Sequence, residues 1–173
     1  MPEGYEIGLF LHLVGVFLLG GASLVSFAVF SMMRRAKTVQ EVRVFGSLGR
    51  ILAQYYVLPV LGAWMILTGM YLVGEYELDL TDGWIMWSLI AVLVAIANGL
   101  ANITPRMKAI GAEAGPAPDG PVPASITEKL DDPILFGAMH FNLLLVVGII
   151  WLMVMAPSFL GSLITLVLFG GVG

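Results

Sequence analysis

The chain has 173 residues, of which 59% are hydrophobic and 12% charged, with a formal net charge of −4. Soluble domains carry about 25% charged residues, so these proportions exclude an ordinary water-soluble globule and point to a membrane domain. There are no cysteines, which excludes disulfides, thiolate nucleophiles and thiolate metal centres.

All eight basic residues fall in two segments, Arg34 to Arg50 and Arg106 to Lys129. That clustering predicts the topology, with both segments on the cytoplasmic side. So few basic residues, placed where the positive-inside rule puts them, give no nucleic-acid footprint.

The first apolar run, about residues 7–33, exceeds the roughly 20 residues needed to cross the hydrocarbon, and Arg34, Arg35 and Lys37 close it. The N-terminus is therefore expected outside. Glu3 and Glu6 precede the run, unlike the positive start of a secretory signal. Along it His12, Gly15, Leu19, Ser23, Ser26 and Phe30 recur at spacings of three and four, which puts them on one stripe. Small residues there let helices approach closely in lipid, so this stripe is the expected seam.

Residues 34–50 form a cytoplasmic connection, partly an amphipathic helix. A second run, about 51–73, contains Pro59, which removes a backbone donor and predicts a kink near Tyr55. Gly62 and Gly69 suggest close packing, and Gly74 is the expected stop. Residues 75–82 are a short acidic outer loop in which Thr81 or Asp82 can cap the next helix. The third run, about 84–103, begins with Trp84 and Trp87 and ends at Pro105-Arg106.

Residues 105–133, rich in proline, read as a flexible cytoplasmic loop. Ser125 and Glu128 suggest a capping box for one short surface helix. Asp132-Pro133 is a good N-cap and first-turn pair for the fourth run, about 134–156. The tail, 158–173, is apolar but shorter than a usual span. It reads as a short fifth helix, a re-entrant or interfacial segment, or a surface for a partner subunit. The expected fold is thus an all-α integral membrane four-helix bundle in a single domain, with an apolar tail.

Depth along these runs groups the polar residues. Gln54, Tyr55 and Tyr56 from the second run, Asn98 and Asn102 from the third, and His140 and Asn142 from the fourth share a level near the cytoplasmic side. Each is costly in lipid without a partner, so they are expected to face one another. Two readings stay open: an interhelical network that holds the bundle together, and a ligand or cofactor pocket. His12 stands near the opposite face, some 20 Å from His140 along the normal by helical rise. The two imidazoles are not expected on one ion. An ionisable residue at that depth is a functional candidate, as a haem or metal ligand. Ten methionines could suit Cu(I), but they also serve as flexible packing.

Leu11-His12-Leu13-Val14-Gly15 followed by Gly20-Gly21 resembles the first-helix pattern of the CopD (copper resistance D) superfamily of bacterial membrane proteins. Leu67-Thr68-Gly69-Met70-Tyr71-Leu72 resembles the end of their second helix. Pro105-Arg106-Met107-Lys108 and the closing Trp151 to Pro157 are similar to an uncharacterised branch of four-helix proteins in that superfamily. HemJ-type protoporphyrinogen oxidases are a distant relative with similar architecture. That relation implies a first-helix histidine binding haem b, which carries over to His12. Their third-helix lysine has no counterpart here.

The expected role is a small multi-pass protein of the bacterial inner membrane, an accessory or interaction subunit. Its partners would be the lipid bilayer and a second copy or larger complex reached through residues 158–173. The alternatives are a haem b oxidoreductase using His12, and copper handling.

Overall fold

The computed structural model describes residues 3–57, 59 and 63–171. Gly62 lies outside them. Among the described residues the regular structure is helical, apart from one isolated bridge between Thr38 and Pro121.

Helix α1 (Glu3–Arg34) is about 48 Å long at 1.5 Å per residue and packs against each of its neighbours in turn. Its partner is a broken helix running the other way, α2 (Val39–Leu52), a π-helical turn (Ala53–Val57) and α3 (Met65–Glu75). The next rod is α4 (Gly83–Asn98), a second π-helical turn (Gly99–Ile103) and α5 (Thr104–Ala114). Then come α6 (Ala124–Leu130), α7 (Pro133–Met155) and α8 (Phe159–Gly171). Three helical rods, 4–34, 83–114 and 124–155, are long and apolar enough to cross a bilayer, and α3 and α8 are shorter apolar helices. Such runs cannot be stable as water-exposed surface, so the protein is an all-α, multi-pass integral membrane protein.

The π-helical turns Ala53–Val57 and Gly99–Ile103 have the same cause. A proline ring collides with the carbonyl four residues earlier and leaves it without a donor. For Pro59 that residue is Tyr55, and for Pro105 it is Ala101. Each is the middle residue of its π-helical turn. At Pro105 the wider turn absorbs the clash, and the rod continues into α5.

The seam on α1 forms as its spacing implies. His12, Gly15, Leu19, Phe30 and Met33 are buried, with Ala22 and Val29 on the same face. Ser23 and Ser26 are half-buried beside them. Halfway along the molecule Leu19 joins Ala91, Ala95, Leu145, Val146 and Ile149 in a core between α1, α4 and α7.

A second core closes the basic end. Phe30 and Met33 of α1 meet Val42, Ile110, Ile126, Leu130 and Leu135 there. Residues 105–133, read as a flexible loop, therefore hold two helices that lean on α1 and α2. The sequence places Ile110 and Ala114, then Ile126 and Leu130, four residues apart, so each helix offers one apolar face. Backbone pairing ties the cap shut, with Val39 N donating to Gly120 O at 3.0 Å and Val122 N to Lys37 O at 3.1 Å. Gly120, at φ +148°, occupies a region that only glycine enters cheaply. Arg43 reaches across to the carbonyls of Ala114 and Ala117 and to Asp119, fixing the end of α5.

Three expected stops and caps differ. The capping box belongs to Thr38 and Glu41, whose side chains each accept from the other's backbone N–H, at 3.3 and 3.2 Å. Ser125 does not cap α6. Pro123 holds the N-cap position, and the Ser125 hydroxyl donates to Glu113. The third run's cap lies at Asp82, as one of the two expected choices, but no side-chain cap bond forms there. Helix α3 passes through Gly74 and ends at Glu75. Glu77 N donates to Gly74 O and Leu78 N to Val73 O, with Glu77 left-handed at φ 53°, which is a Schellman closure.

The tail becomes α8, one of the outcomes left open. It starts beside α4, where the Trp87 and Phe159 rings meet at a tilt with centroids 5.6 Å apart. It then runs back along α7, with Phe169 against Gly148 and Gly170 against Phe141.

Candidate functional site: His12 and the asparagine ladder

His12 is 9% exposed, held between α1 and α3. The reason it fits is a row of small residues. Gly4, Gly8, His12 and Gly15 lie on one face of α1; Tyr71 of α3 meets the first two, and Met65 with the preceding Trp64 meets the last. A methyl group at Gly15 would stand 2.6 Å from both the Trp64 ring and the Met65 sulfur. Opposite His12 is Gly69, where an added Cβ would lie 3.4 Å from the imidazole Cε1. Glycine on both helices thus brings the backbones close enough for the ring to lie across the interface.

The imidazole is oriented by a relay. Its Nδ1 is 3.0 Å from Thr68 Oγ1. The Thr68 hydroxyl donates to Trp64 O at 2.7 Å, and the Trp64 indole donates to Leu11 O at 2.8 Å. With the hydroxyl proton spent on Trp64, Nδ1 carries its own proton and donates to Thr68. Nε2 then bears the lone pair, and it makes no hydrogen bond among the described residues. The acidic loop does not fold over His12. Glu75 accepts from Tyr71 at 3.0 Å beside Gly4, two turns away. Sequence reasoning marked His12 but not Thr68 or Trp64. The signal available was Thr68 beside Gly69, a hydroxyl next to a small residue in the middle of an apolar run.

The second polar level divides into parts. Asn98 Nδ2 donates to Asn142 Oδ1 at 2.8 Å and to Ala138 O at 2.9 Å. Asn142 Nδ2 donates back to Ala95 O at 3.2 Å. Asn102 Nδ2 donates to Asn98 Oδ1 at 2.9 Å, and Arg106 donates to Asn102 O at 3.0 Å. Arg106 then meets Asp132 at 2.8 Å, and Asp132 also accepts from Ile134 N at 2.8 Å as the cap of α7. The result is a polar ladder between α4–α5 and α7, leading from the interior to the basic end. Arg106 and Asp132 are the members that sequence reasoning left out of it. The Ile134 backbone N–H, then Arg106, hold the Asp132 carboxyl below the usual carboxylate range.

Gln54, Tyr55 and Tyr56 do not join this ladder. They are exposed on the outside of the first π-helical turn, Tyr55 by 64% and Tyr56 by 46%. Nor does His140. Its ring stands edge-on between Phe27 and Phe136, with centroids 4.3 Å away on each side. Phe27 lies fifteen residues from His12 along α1, about 22 Å of helical rise. The two histidines therefore occupy separate levels.

No curated protein and no solved structure matches the chain. One family does match, over residues 7–157, under the description "predicted integral membrane protein" (DUF2269). The match spans the α1 seam, the His12 interface and the asparagine ladder, and the chain belongs to that family.

Proposed function

We propose that the protein is a haem b-binding membrane protein in which His12 Nε2 would hold the haem iron. The observation that carries this reading is the His12–Thr68–Trp64 relay. A histidine that ligates a metal usually donates its other ring N–H to a neighbouring acceptor, which fixes tautomer and ring orientation. Thr68 fills that role for Nδ1. Gly69 faces the imidazole Cε1, and Trp64 and Met65 pack one turn away against Gly15. Bound haem would supply one-electron redox chemistry. The chain's own part is to hold the imidazole oriented, with Thr68 bonded to Nδ1 and Gly69 giving the ring its place. The resemblance to the CopD superfamily and to HemJ-type oxidases supports the same residue.

The topology that goes with this reading is an inner-membrane bundle of four spans plus α8. Its N-terminus is outside and its basic end cytoplasmic. His12 then serves the outer leaflet.

The test is purification in detergent, followed by titration with haemin. A Soret shift that saturates at one equivalent, and that His12→Ala abolishes while circular dichroism stays unchanged, is the expected result. Thr68→Ala should weaken binding roughly tenfold, the low end for a lost orienting partner. A Soret shift retained in His12→Ala would sink the proposal. Copper handling through the same imidazole is told apart by a colourless preparation with stoichiometric copper.

A second reading rests on α8. Phe159, Leu160, Ile164, Val167 and Leu168 are exposed along it, a surface suited to another transmembrane helix. In this reading the chain is an accessory subunit, joined to a second copy or a larger complex through 158–173. Chemical cross-linking in native membranes tests it. Cross-links from α8 to a discrete partner support it, and cross-linked species restricted to the monomer refute it.

A further inference from the structure

Neither the polar ladder nor the His12 relay uses His140, and it lines a cavity. The cavity has a volume of about 470 Å³ and lies at the basic end between α1 and α7. Its deep wall is aromatic, made by Phe27 and Phe136 with the His140 ring between them. Its mouth is made by Arg34, Arg35 and Asp131. Ser31 lies between the two levels on α1. From Phe27 to Arg34 is seven residues, about 10 Å along the helix.

The charges at the mouth are unequally used. Arg34 donates through Nε and Nη2 to Asp131 at 3.2 and 2.9 Å, and its guanidinium lies 4.6 Å from the Phe136 ring centroid. That packing fixes the guanidinium as one wall. Its Nη1 makes no hydrogen bond among the described residues. Arg35 is exposed and has no ion-pair or hydrogen-bond partner through its side chain among them. Two guanidiniums against one carboxylate leave the mouth with a net positive charge. The His140 ring adds a nitrogen donor just below, in an otherwise apolar wall.

A cavity that is cationic at the headgroup level and aromatic one to two turns deeper matches one ligand chemistry, an anionic phosphate ester carrying an acyl chain. Basic pockets between transmembrane helices at this level hold acidic headgroups, and the volume lies within the usual range for ligand sites. We propose that this groove is a binding site for an anionic phospholipid. The phosphate sits between Arg35, the free Nη1 of Arg34 and His140, and the first part of an acyl chain lies against Phe27 and Phe136. The proposal stands independently of haem binding at His12.

The test compares wild-type protein with Arg35→Gln, Arg35→Lys and His140→Phe. Each is reconstituted in nanodiscs of phosphatidylcholine with increasing phosphatidylglycerol, and bound lipid is counted by native mass spectrometry after release. Arg35 has no structural partner among the described residues, so its variants should keep the fold, which thermal unfolding checks. We expect wild-type protein to retain phosphatidylglycerol over phosphatidylcholine. Arg35→Gln should lower that preference roughly fivefold, about the worth of one basic residue near a lipid surface. Arg35→Lys should keep most of it, and His140→Phe should reduce it. No preference in wild-type protein, or an unchanged preference in Arg35→Gln, overturns the proposal. A parallel arm adds inorganic phosphate. Displacement of the lipid by millimolar phosphate would assign the groove to a free phosphate and overturn the lipid.

Discussion

The asparagine ladder gives the most direct quantitative test of the packing. Replacing Asn98 by Ala removes its donations to Asn142 Oδ1 and Ala138 O and its acceptance from Asn102. Interhelical polar contacts in membranes average about 0.6 kcal/mol and reach about 1.7 kcal/mol. The two that cross to α7, at the average, come to about 1.2 kcal/mol. The pairwise part is separable, because Asn142 retains its own bond to Ala95 O. A double-mutant cycle of Asn98→Ala and Asn142→Ala should therefore show a coupling of about 0.6–1.7 kcal/mol. Single substitutions should cost more than the coupling alone, since each also breaks a bond to the facing backbone. The assay is reversible unfolding in mixed micelles, read by circular dichroism. Asn102→Ala serves as the control, because its amide bonds along its own rod rather than across to α7. Strictly additive losses for Asn98 and Asn142 would refute the direct bond. So would an Asn102→Ala penalty larger than that of Asn98→Ala.

Other outcomes follow from close approaches and from the cap. Gly15→Leu must displace Trp64 and Met65, an overpacking cost of about 1–3 kcal/mol, and a shift in tryptophan fluorescence should accompany it; an unshifted spectrum at wild-type stability would count against this interface. Gly83→Ala would drive a Cβ into the backbone of Phe159, which cannot rotate away. It should loosen the start of α8 and expose the 156–160 segment to protease, whereas unchanged cleavage would contradict the packing. Glu113 is held below the usual carboxylate range by Lys129 and then by Ser125, and Asp132 by the Ile134 N–H and then by Arg106. Because folding lowers both values, their contribution is fully present above about pH 4.5, the ordinary carboxylate range. It is lost as the pH falls through the depressed folded values. Hydrogen exchange in 104–132 should rise from pH 5 to 3 beyond the intrinsic trend, and a flat corrected profile would exclude the effect.

How much of this was legible depended on whether a signal needed depth or direction. Depth came from counting residues along apolar runs, and of the seven residues it grouped, Asn98, Asn102 and Asn142 are joined by hydrogen bonds. Direction around the helix needs an unbroken 3.6-residue period. A π-helical turn spends one extra residue, so extrapolation through Pro59 or Pro105 rotates the expected face by about 100°. Gln54, Tyr55 and Tyr56 lie inside such a turn, and their expected inward face became the exposed one. His140 is a different case, because α7 is regular there. Residues two apart point to nearly opposite sides of a helix, so His140 could not share the direction of Asn142, and the spacing already said so. The same holds for the capping boxes. Thr38-x-x-Glu41 and Ser125-x-x-Glu128 carry the same pattern, but Pro123 can itself occupy the extended N-cap conformation. That places Ser125 inside the first turn, where its hydroxyl reaches Glu113 instead. The pairs that close the ladder, Arg106 with Asp132 and Asn98 with Asn142, join residues 26 and 44 positions apart. Their individual signals were visible, as a basic helix end, a cap and two asparagines in apolar runs. Their joining depended on α5 continuing as a rod past Pro105, which the second π-helical turn makes possible.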